Sequence, residues 1–167
     1  MQLRLADIED LDLLLRWQEQ PHVLAATDDD WGWEHELHRS PEWRHQLIAE
    51  VEGRPVGFIQ IIDPAREDSH YWGECPEGLR AIDIWIGEES DIGRGLGTNM
   101  MRLALERCFA DPDVDAVLVD PLESNARARR FFERLGFRFV EVRRFGDDDC
   151  AVYRIKRASW QSRRGQS

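Results

Sequence analysis

Cysteine is scarce. The chain has three in 167 residues, Cys75, Cys108 and Cys150, and their spacing matches neither a metal site nor a disulfide framework. They read as reduced thiols of a cytoplasmic protein, with at least one unpaired. The five histidines show no metal-ligand spacing either, so no metal is expected. No apolar run approaches the ~20 residues needed to span a bilayer, so no membrane partner is expected. The N-terminal MQLRLADIEDLDLLL carries acids within its apolar stretch and lacks a small-residue cleavage site. It does not read as a signal peptide. Positive charge is also short, with 22 Lys and Arg against 33 Asp and Glu and a net charge of -11. Such a balance repels nucleic acid, which is excluded as a partner. It suits a polycationic small molecule steered by acids focused in a cleft, or it simply keeps the surface soluble. Where the acids sit decides between the two.

What is present indicates a folded protein. Hydrophobic residues make up 42% and charged residues 33% of the chain, and its length suits a single domain over residues 1–160, with 161–167 fraying. A short strand is expected at Gln2 to Leu5, then a helix from near Asp7 with Leu11, Leu14, Leu15 and Trp17 on one stripe. The segment Pro21 to Trp43 centres on Asp28-Asp29-Asp30-Trp31-Gly32-Trp33-Glu34. Aromatics among carboxylates favour a cationic amine or a sugar ring. Trp31 and Trp33 read equally well as helix-packing residues. Gln46 to Val51 and Pro55 to Ile62 read as strands of a hairpin joined at Gly53-Arg54. A polar loop follows through Pro76.

The stretch Ala81 to Leu105 organises the rest. Ala81 to Ile86 alternates and is rich in β-branched and aromatic residues, as a strand is. Gly93-Arg94-Gly95-Leu96-Gly97 is a glycine-rich turn, and Met100, Met101, Leu103, Ala104 and Leu105 keep helical spacing from a start capped by Gly97 or Thr98. A strand, a turn of three glycines and a helix N-terminus together make an anion site, because backbone N–H groups and the helix dipole face the ligand. The spacing is neither a P-loop, which needs Lys before Thr98, nor the G-x-G-x-x-G dinucleotide fingerprint. Asp83 stands in the middle of the strand. A carboxylate there is costly unless paired or useful.

Ile92 to Gly97 resembles the acetyl-CoA loop of the GNAT acetyltransferases, [QR]-x-x-G-x-[GA], except at its first position, where Ile92 stands. About thirty residues further on, Asp120 to Phe137 is similar to that family's second signature, a strand end, an Asn and a short helix closing on Gly136-Phe137. Ser124 is a good N-cap for that helix. The runs GLRAID, GRGLGT, FADPDV, DPLESNARA and AVY narrow the resemblance to the aminoglycoside 6'-N-acetyltransferases, over roughly Leu79 to Tyr153. Acetyltransferases of siderophore biosynthesis share parts of the pattern.

The resemblance implies an α/β GNAT fold, a mixed and largely antiparallel sheet with helices on both faces and a splayed acetyl-CoA slot. It implies direct acetyl transfer from acetyl-CoA, the cosubstrate, to a primary amine of a polycationic aminoglycoside. Asp83 is then the catalytic base and touches the acceptor. Acetyl-CoA is held by Ile84, Trp85 and Ile86 of the strand and by Ile92, Gly93, Arg94, Gly95, Leu96, Gly97 and Thr98 of the turn. Asn125, Ala128, Arg129 and Phe132 of the second signature complete that set, although Arg127, Arg129 and Arg130 read equally as a solvated helix face. Tyr71, Trp72, Asp120 and Asp148 border the acceptor; Asp148 reads equally as part of a solvated turn. Phe132 departs from the family, which often places a Tyr there to protonate the leaving thiolate. Two alternatives stay open. One is a GNAT enzyme for a siderophore hydroxylated amine or a protein N-terminus. The other is an acyl-CoA-binding module in which Phe132 marks lost catalysis. The chain is expected as a monomer or homodimer.

Overall fold

The computed structural model describes residues 1–27 and 30–166. Asp28 and Asp29, two of the three acids before Trp31, lie outside the described residues. Seven strands form one mixed sheet, β1 (Gln2–Leu5), β2 (Arg44–Val51), β3 (Arg54–Ile62), β4 (Leu79–Ile86), β5 (Ala116–Val119), β6 (Arg138–Phe145) and β7 (Asp148–Lys156), in the order β1-β2-β3-β4-β5-β7-β6. Among the described residues six α-helices accompany them, α1 (Leu11–Gln18), α2 (Pro21–Leu24), α3 (Trp33–Glu36), α4 (Leu96–Phe109), α5 (Ala126–Arg134) and α6 (Arg157–Arg164). β1 with β2, β5 with β7 and β6 with β7 pair antiparallel, whereas β4 and β5 run parallel. That parallel ladder covers Leu79–Ala81 against Ala116–Leu118 and stops two residues before Asp83. This is the mixed, largely antiparallel GNAT sheet expected from the sequence.

The chain divides into two compact units, Met1–Ile61 with Asp83–Ala104, and Ile62–Ile82 with Leu105–Ser167. The first is built on a buried cluster of Leu14, Trp17, Val23, Trp33, Ile48, Phe58 and Trp85. The helical stripe of α1 supplies Leu14 and Trp17, and same-face positions of β2, β3 and β4 supply Ile48, Phe58 and Trp85. Trp31 stacks on Trp33 with centroids 5.2 Å apart and meets Trp85 edge-on at 5.0 Å, while Phe58 stacks on Trp85 at 4.5 Å. Trp31 and Trp33 are therefore packing residues, worth about 0.5–1.5 kcal/mol per ring pair beyond their buried area. That gain offsets two buried indole N–H groups, of Trp31 and Trp85, that find no partner among the described residues and cost about 1–3 kcal/mol each. Gly87 follows β4 because nothing larger fits; a Cβ there would lie 2.0 Å from the Trp17 ring.

The second unit packs Val117, Val119, Phe132, Phe137, Tyr153 and Ile155, all buried. Where a fraying terminus was expected, residues Arg157–Arg164 form α6. The tie is Arg157, which donates to the carbonyls of Val114, Phe109 and Asp111 and stacks over the Phe109 ring; Trp160 adds a contact to the same ring at 4.8 Å. None of the three cysteines is in a disulfide, and burial pushes the Cys108 thiol up to about 12. Among the described residues no helix is long and apolar enough to cross a membrane.

Several boundaries moved outward. β2 starts at Arg44 and β4 at Leu79, because a strand continues through polar residues when its neighbour supplies the ladder. Helix α4 starts at Leu96, ahead of the expected caps Gly97 and Thr98, and the chain enters it through Gly95 at φ +77°. Asn125, not Ser124, caps α5, its side chain accepting from the Ala128 N–H at 3.1 Å. The hairpin turns at Glu52-Gly53, both at positive φ, as a twist-matched two-residue turn requires.

The N-terminal strand is held by ions. Arg4 donates to both Asp10 oxygens at 2.7 Å and through Nε to Glu50 at 2.6 Å. Burial alone would raise the Asp10 pKa, but the Arg4 guanidinium and the Asp7 N–H hold it below the usual carboxylate range. Arg4, then Gln2, hold Glu50 low as well. Depressed carboxylates stabilise the fold above their ordinary pKa and lose that contribution as pH falls through the folded value. Arg4→Met should therefore cost roughly 3 kcal/mol at neutral pH, at the low end for a broken buried pair because Arg4 stays 34% exposed. Urea unfolding across pH checks this: the gap from wild type should close below about pH 4, as both acids protonate.

Candidate active site

In the first unit the glycine turn has the form an anion cradle needs. Gly93 and Gly95 sit at φ +78° and +77°, and a Cβ added at either would meet nothing within 4 Å, so the backbone is open on that side. Gly93, Arg94 and Gly95 are exposed, Ile92, Leu96 and Gly97 half-buried, and Thr98 exposed on the first turn of α4. Exposed backbone N–H groups leading into a fourteen-residue helix can accept a diphosphate. The residues present thus fit the diphosphate end of acetyl-CoA. Before the turn, the 3-10 segment Glu89–Asp91 ends on a carboxylate the sequence did not single out. Asp91 is 2% exposed and takes Arg54 through two N–H groups, at 2.7 and 3.1 Å, and Arg94 through one at 2.9 Å. The Arg54 hydrogen bonds, against the effect of burial, hold its carboxyl below the usual range.

Asp83 is half-buried and shares a face of β4 with Trp85, as strand alternation predicts. Its partner was not foreseen. The Gln60 amide donates to Asp83 Oδ2 at 3.1 Å, and Gln46 donates to the Gln60 carbonyl oxygen at 3.1 Å. Gln46, Gln60 and Asp83 thus form a polar line on the face that also carries Ile48, Phe58 and Trp85. A carboxylate held by an amide keeps its acceptor character and a fixed orientation. Glutamines in strands carry no sequence signal for this, since their alternation matches that of solvent-facing residues. The Trp85 side chain lies in the core, 7% exposed, while Ile84 and Ile86 are half-buried. His22 of α2 approaches the Ile86 carbonyl through Nε2 at 2.8 Å. A carbonyl only accepts, so Nε2 carries the proton, and this bond fixes the end of β4 just before the turn.

In the second unit, Tyr71 and Asp120 meet directly, the hydroxyl donating to Asp120 Oδ2 at 2.6 Å. The Tyr71 ring is 45% exposed and stacks on Phe145 at 4.5 Å and 7°. Its neighbour Trp72 is 3% exposed and packs edge-on to both rings, so it supports the platform from beneath. The loop is set by Glu67, which is buried and accepts the N–H groups of Ser69 at 2.8 Å and Tyr71 at 3.0 Å. Burial would raise the Glu67 pKa; the Ser69 and Tyr71 donors bring it below its ordinary value. Asp148 opens β7 opposite Phe145 and is exposed, as are Asp147 and Asp149.

Asn125 and Ala128 form the first turn of α5, joined by the capping bond. Arg129 turns inward: Nε donates to the Tyr153 hydroxyl at 3.1 Å and one terminal N–H to the Glu123 carbonyl at 3.2 Å. Tyr153 in turn donates to Glu133 at 2.7 Å. Burial, together with acceptance by Glu133, pushes the Tyr153 hydroxyl upward against the pull of Arg129. Its proton is committed to Glu133. Phe132 is 6% exposed among Phe131 and Phe137 and has no proton to offer.

A family model described as an acetyltransferase (GNAT) domain matches residues 7–145. The chain is 31% identical over 149 residues to aminoglycoside N(6')-acetyltransferase type 1 of Klebsiella pneumoniae, covering 81% of this chain and 72% of that protein. It is 28% identical over 161 residues to the lysine N-acyltransferase MbtK of Mycobacterium tuberculosis, covering 92% and 76%. Among solved structures it is similar to the aminoglycoside acetyltransferase AAC(6')-Ib in complex with coenzyme A and kanamycin, with TM-score 0.87, 28% identity and coverage of 97% and 98%. From the glycine turn, the Asp83 strand and these matches together, the chain belongs to the GNAT acetyltransferase family and is an acetyl-CoA-dependent N-acetyltransferase.

Proposed function

We propose that the acyl acceptor is the 6'-amino group of an aminoglycoside antibiotic, so that the chain acts as an aminoglycoside 6'-N-acetyltransferase conferring resistance. The observation that carries this reading is the Tyr71–Asp120 pair, a half-exposed ring hydrogen-bonded to a carboxylate and backed by the Phe145 stack. An aromatic face beside a fixed negative charge suits an amino sugar, whose ring offers C–H groups and ammonium groups to each. The exposed acids Asp147 to Asp149 and the net charge of -11 add long-range attraction for a polycation.

The residue roles follow from their chemistry. Acetyl-CoA supplies the acyl group as a thioester when bound. The backbone N–H groups of Ile92 to Gly97 and the Thr98 hydroxyl take its diphosphate. The backbone of Ile84 to Ile86 lines its arm. Asp83 takes the proton that the acceptor ammonium must lose before its nitrogen attacks, and Gln60 keeps the accepting oxygen in place. Asp120, with Asp148, orients the other ammonium groups. Neither Phe132 nor Tyr153 provides an acid for the departing thiolate. Thiolate release therefore rests on positioning and on backbone polarisation of the carbonyl.

A second reading is a lysine-type amine as acceptor, favoured by the similarity to the MbtK lysine acyltransferase. Release of CoA thiol from acetyl-CoA with kanamycin, tobramycin, a 6'-hydroxyl aminoglycoside, a hydroxylated lysine and a short peptide separates the two. Turnover is expected with the 6'-amino drugs and not with the 6'-hydroxyl one; turnover on the lysine alone would select the second reading. Asp120→Asn should raise KM for an aminoglycoside about tenfold, as expected for one lost charge-assisted contact, and a KM unchanged by it would remove Asp120 from acceptor binding.

Asp83→Asn should lower kcat by about 10²–10⁴-fold, the usual range for a positioned base. Gln60→Leu removes the amide that fixes the accepting oxygen, so kcat should fall there too while KM for acetyl-CoA stays unchanged. A kcat unchanged by Asp83→Asn would show that Asp83 is not the base.

A further inference from the structure

We propose that Arg54, positioned by the buried Asp91, is a phosphate ligand of acetyl-CoA supplied from outside the glycine turn. The inference rests on the reading of Ile92 to Thr98 as the diphosphate cradle. The approach to that cradle is acidic: Glu88, Glu89 and Asp91 precede the turn within a chain of net charge -11. A polyanionic cosubstrate needs that sign reversed locally. Glu88 is compensated by Arg16 at 2.8 Å and also accepts the Trp17 indole N–H. The one negative charge of Asp91 faces two guanidiniums, of Arg54 and Arg94, so that three arginines match the three acids Glu88, Glu89 and Asp91, and two exposed cations stand at the entrance to Gly93 to Gly97.

Burial distinguishes this cluster from an ordinary surface ion pair. Asp91 is 2% exposed, while the side chains of Arg54 and Arg94 are 54% and 62% exposed. The carboxylate acts as a fixed post, and both cations hang from it with further N–H donors turned to solvent. A guanidinium already held in place loses less freedom when it captures an oxyanion, and its planar fork matches phosphate. Arg54 is the informative member, because it arrives from a different element. The tight Glu52-Gly53 turn places it at the first position of β3, and its two bonds to Asp91 cross to the segment before the turn. Asp91 acts through the arginines and is a positioning residue.

Two phosphate groups of acetyl-CoA could be the target, the diphosphate and the phosphate on the ribose. Titration calorimetry with acetyl-CoA, its 3'-dephospho form and acetyl-pantetheine tells them apart. Arg54→Gln is expected to weaken acetyl-CoA about tenfold and to leave acetyl-pantetheine, which has neither group, unaffected. Persistence of the loss with the dephospho form assigns Arg54 to the diphosphate, and its disappearance assigns Arg54 to the ribose phosphate. Asp91→Asn should weaken acetyl-CoA as well, and Asp91→Glu should recover most of the affinity, which a merely structural acid would not do selectively for the phosphorylated ligands. Arg54→Gln binding acetyl-CoA as tightly as wild type overturns the proposal, as does equal weakening of acetyl-pantetheine. If wild-type protein binds acetyl-CoA no more tightly than acetyl-pantetheine, the diphosphate cradle itself fails, whatever Arg54 does.

Discussion

The packing of Trp85 against Phe58, Trp31 and Trp33 is the contact on which the chemistry of the first unit depends. A strand that must present a carboxylate needs to be held by something other than that carboxylate. β4 is held by a ring two residues from Asp83, so the Gln60 bond to the carboxylate adds to that hold without having to supply it. The same cluster tolerates two indole N–H groups that find no partner among the described residues, which sets a scale for the gain: aromatic burial outweighs a few kcal/mol of lost hydrogen bonding. Beyond Trp85, the strand end is fixed by the His22 bond to Ile86 and by the close passage of Gly87 over Trp17. The glycine turn therefore begins from a rigid origin, although the turn itself is open.

Much of this was legible in the sequence, for definite reasons. Glycines at positive φ, a carboxylate amid isoleucines and an Asn before a helix leave marks that no compensating contact erases. The glycine turn and Asp83 were singled out this way, whereas the cap of α5 was placed on Ser124, one residue early; the resemblance gave the motifs an order. The mixed sheet followed from the same resemblance. Trp31 and Trp33 stood undecided, because an aromatic residue among acids looks the same whether it faces a ligand or a core. Only the 5.2 Å stack and the burial of Trp33 separate the two.

What escaped the sequence are contacts between residues distant along the chain. Gln60 to Asp83 and Arg54 to Asp91 join positions 23 and 37 residues apart, and a polar side chain in a strand or turn gives no sign of which partner it will meet. Helix α6 escaped for a related reason: its hold comes from Arg157 meeting three carbonyls near the end of α4, whereas its own sequence offers Ala158 and Trp160 alone as apolar residues. Arg129 is the converse case. A basic residue at a helix start suggests anions, yet here its charge is drawn to Tyr153 and a backbone carbonyl.

The loop that carries Tyr71 is folded largely by one of its own members. Glu67 binds the backbone of Ser69 and Tyr71 from within the loop, and Arg143 reaches over to the Trp72 carbonyl at 2.9 Å. A segment anchored in this way is modular. Residues at its tip can be exchanged without disturbing the strands at either end, provided the acid and the buried tryptophan stay. On the proposed reading of this loop as an acceptor wall, a GNAT scaffold can then change its acceptor by redrawing the exposed positions of one loop.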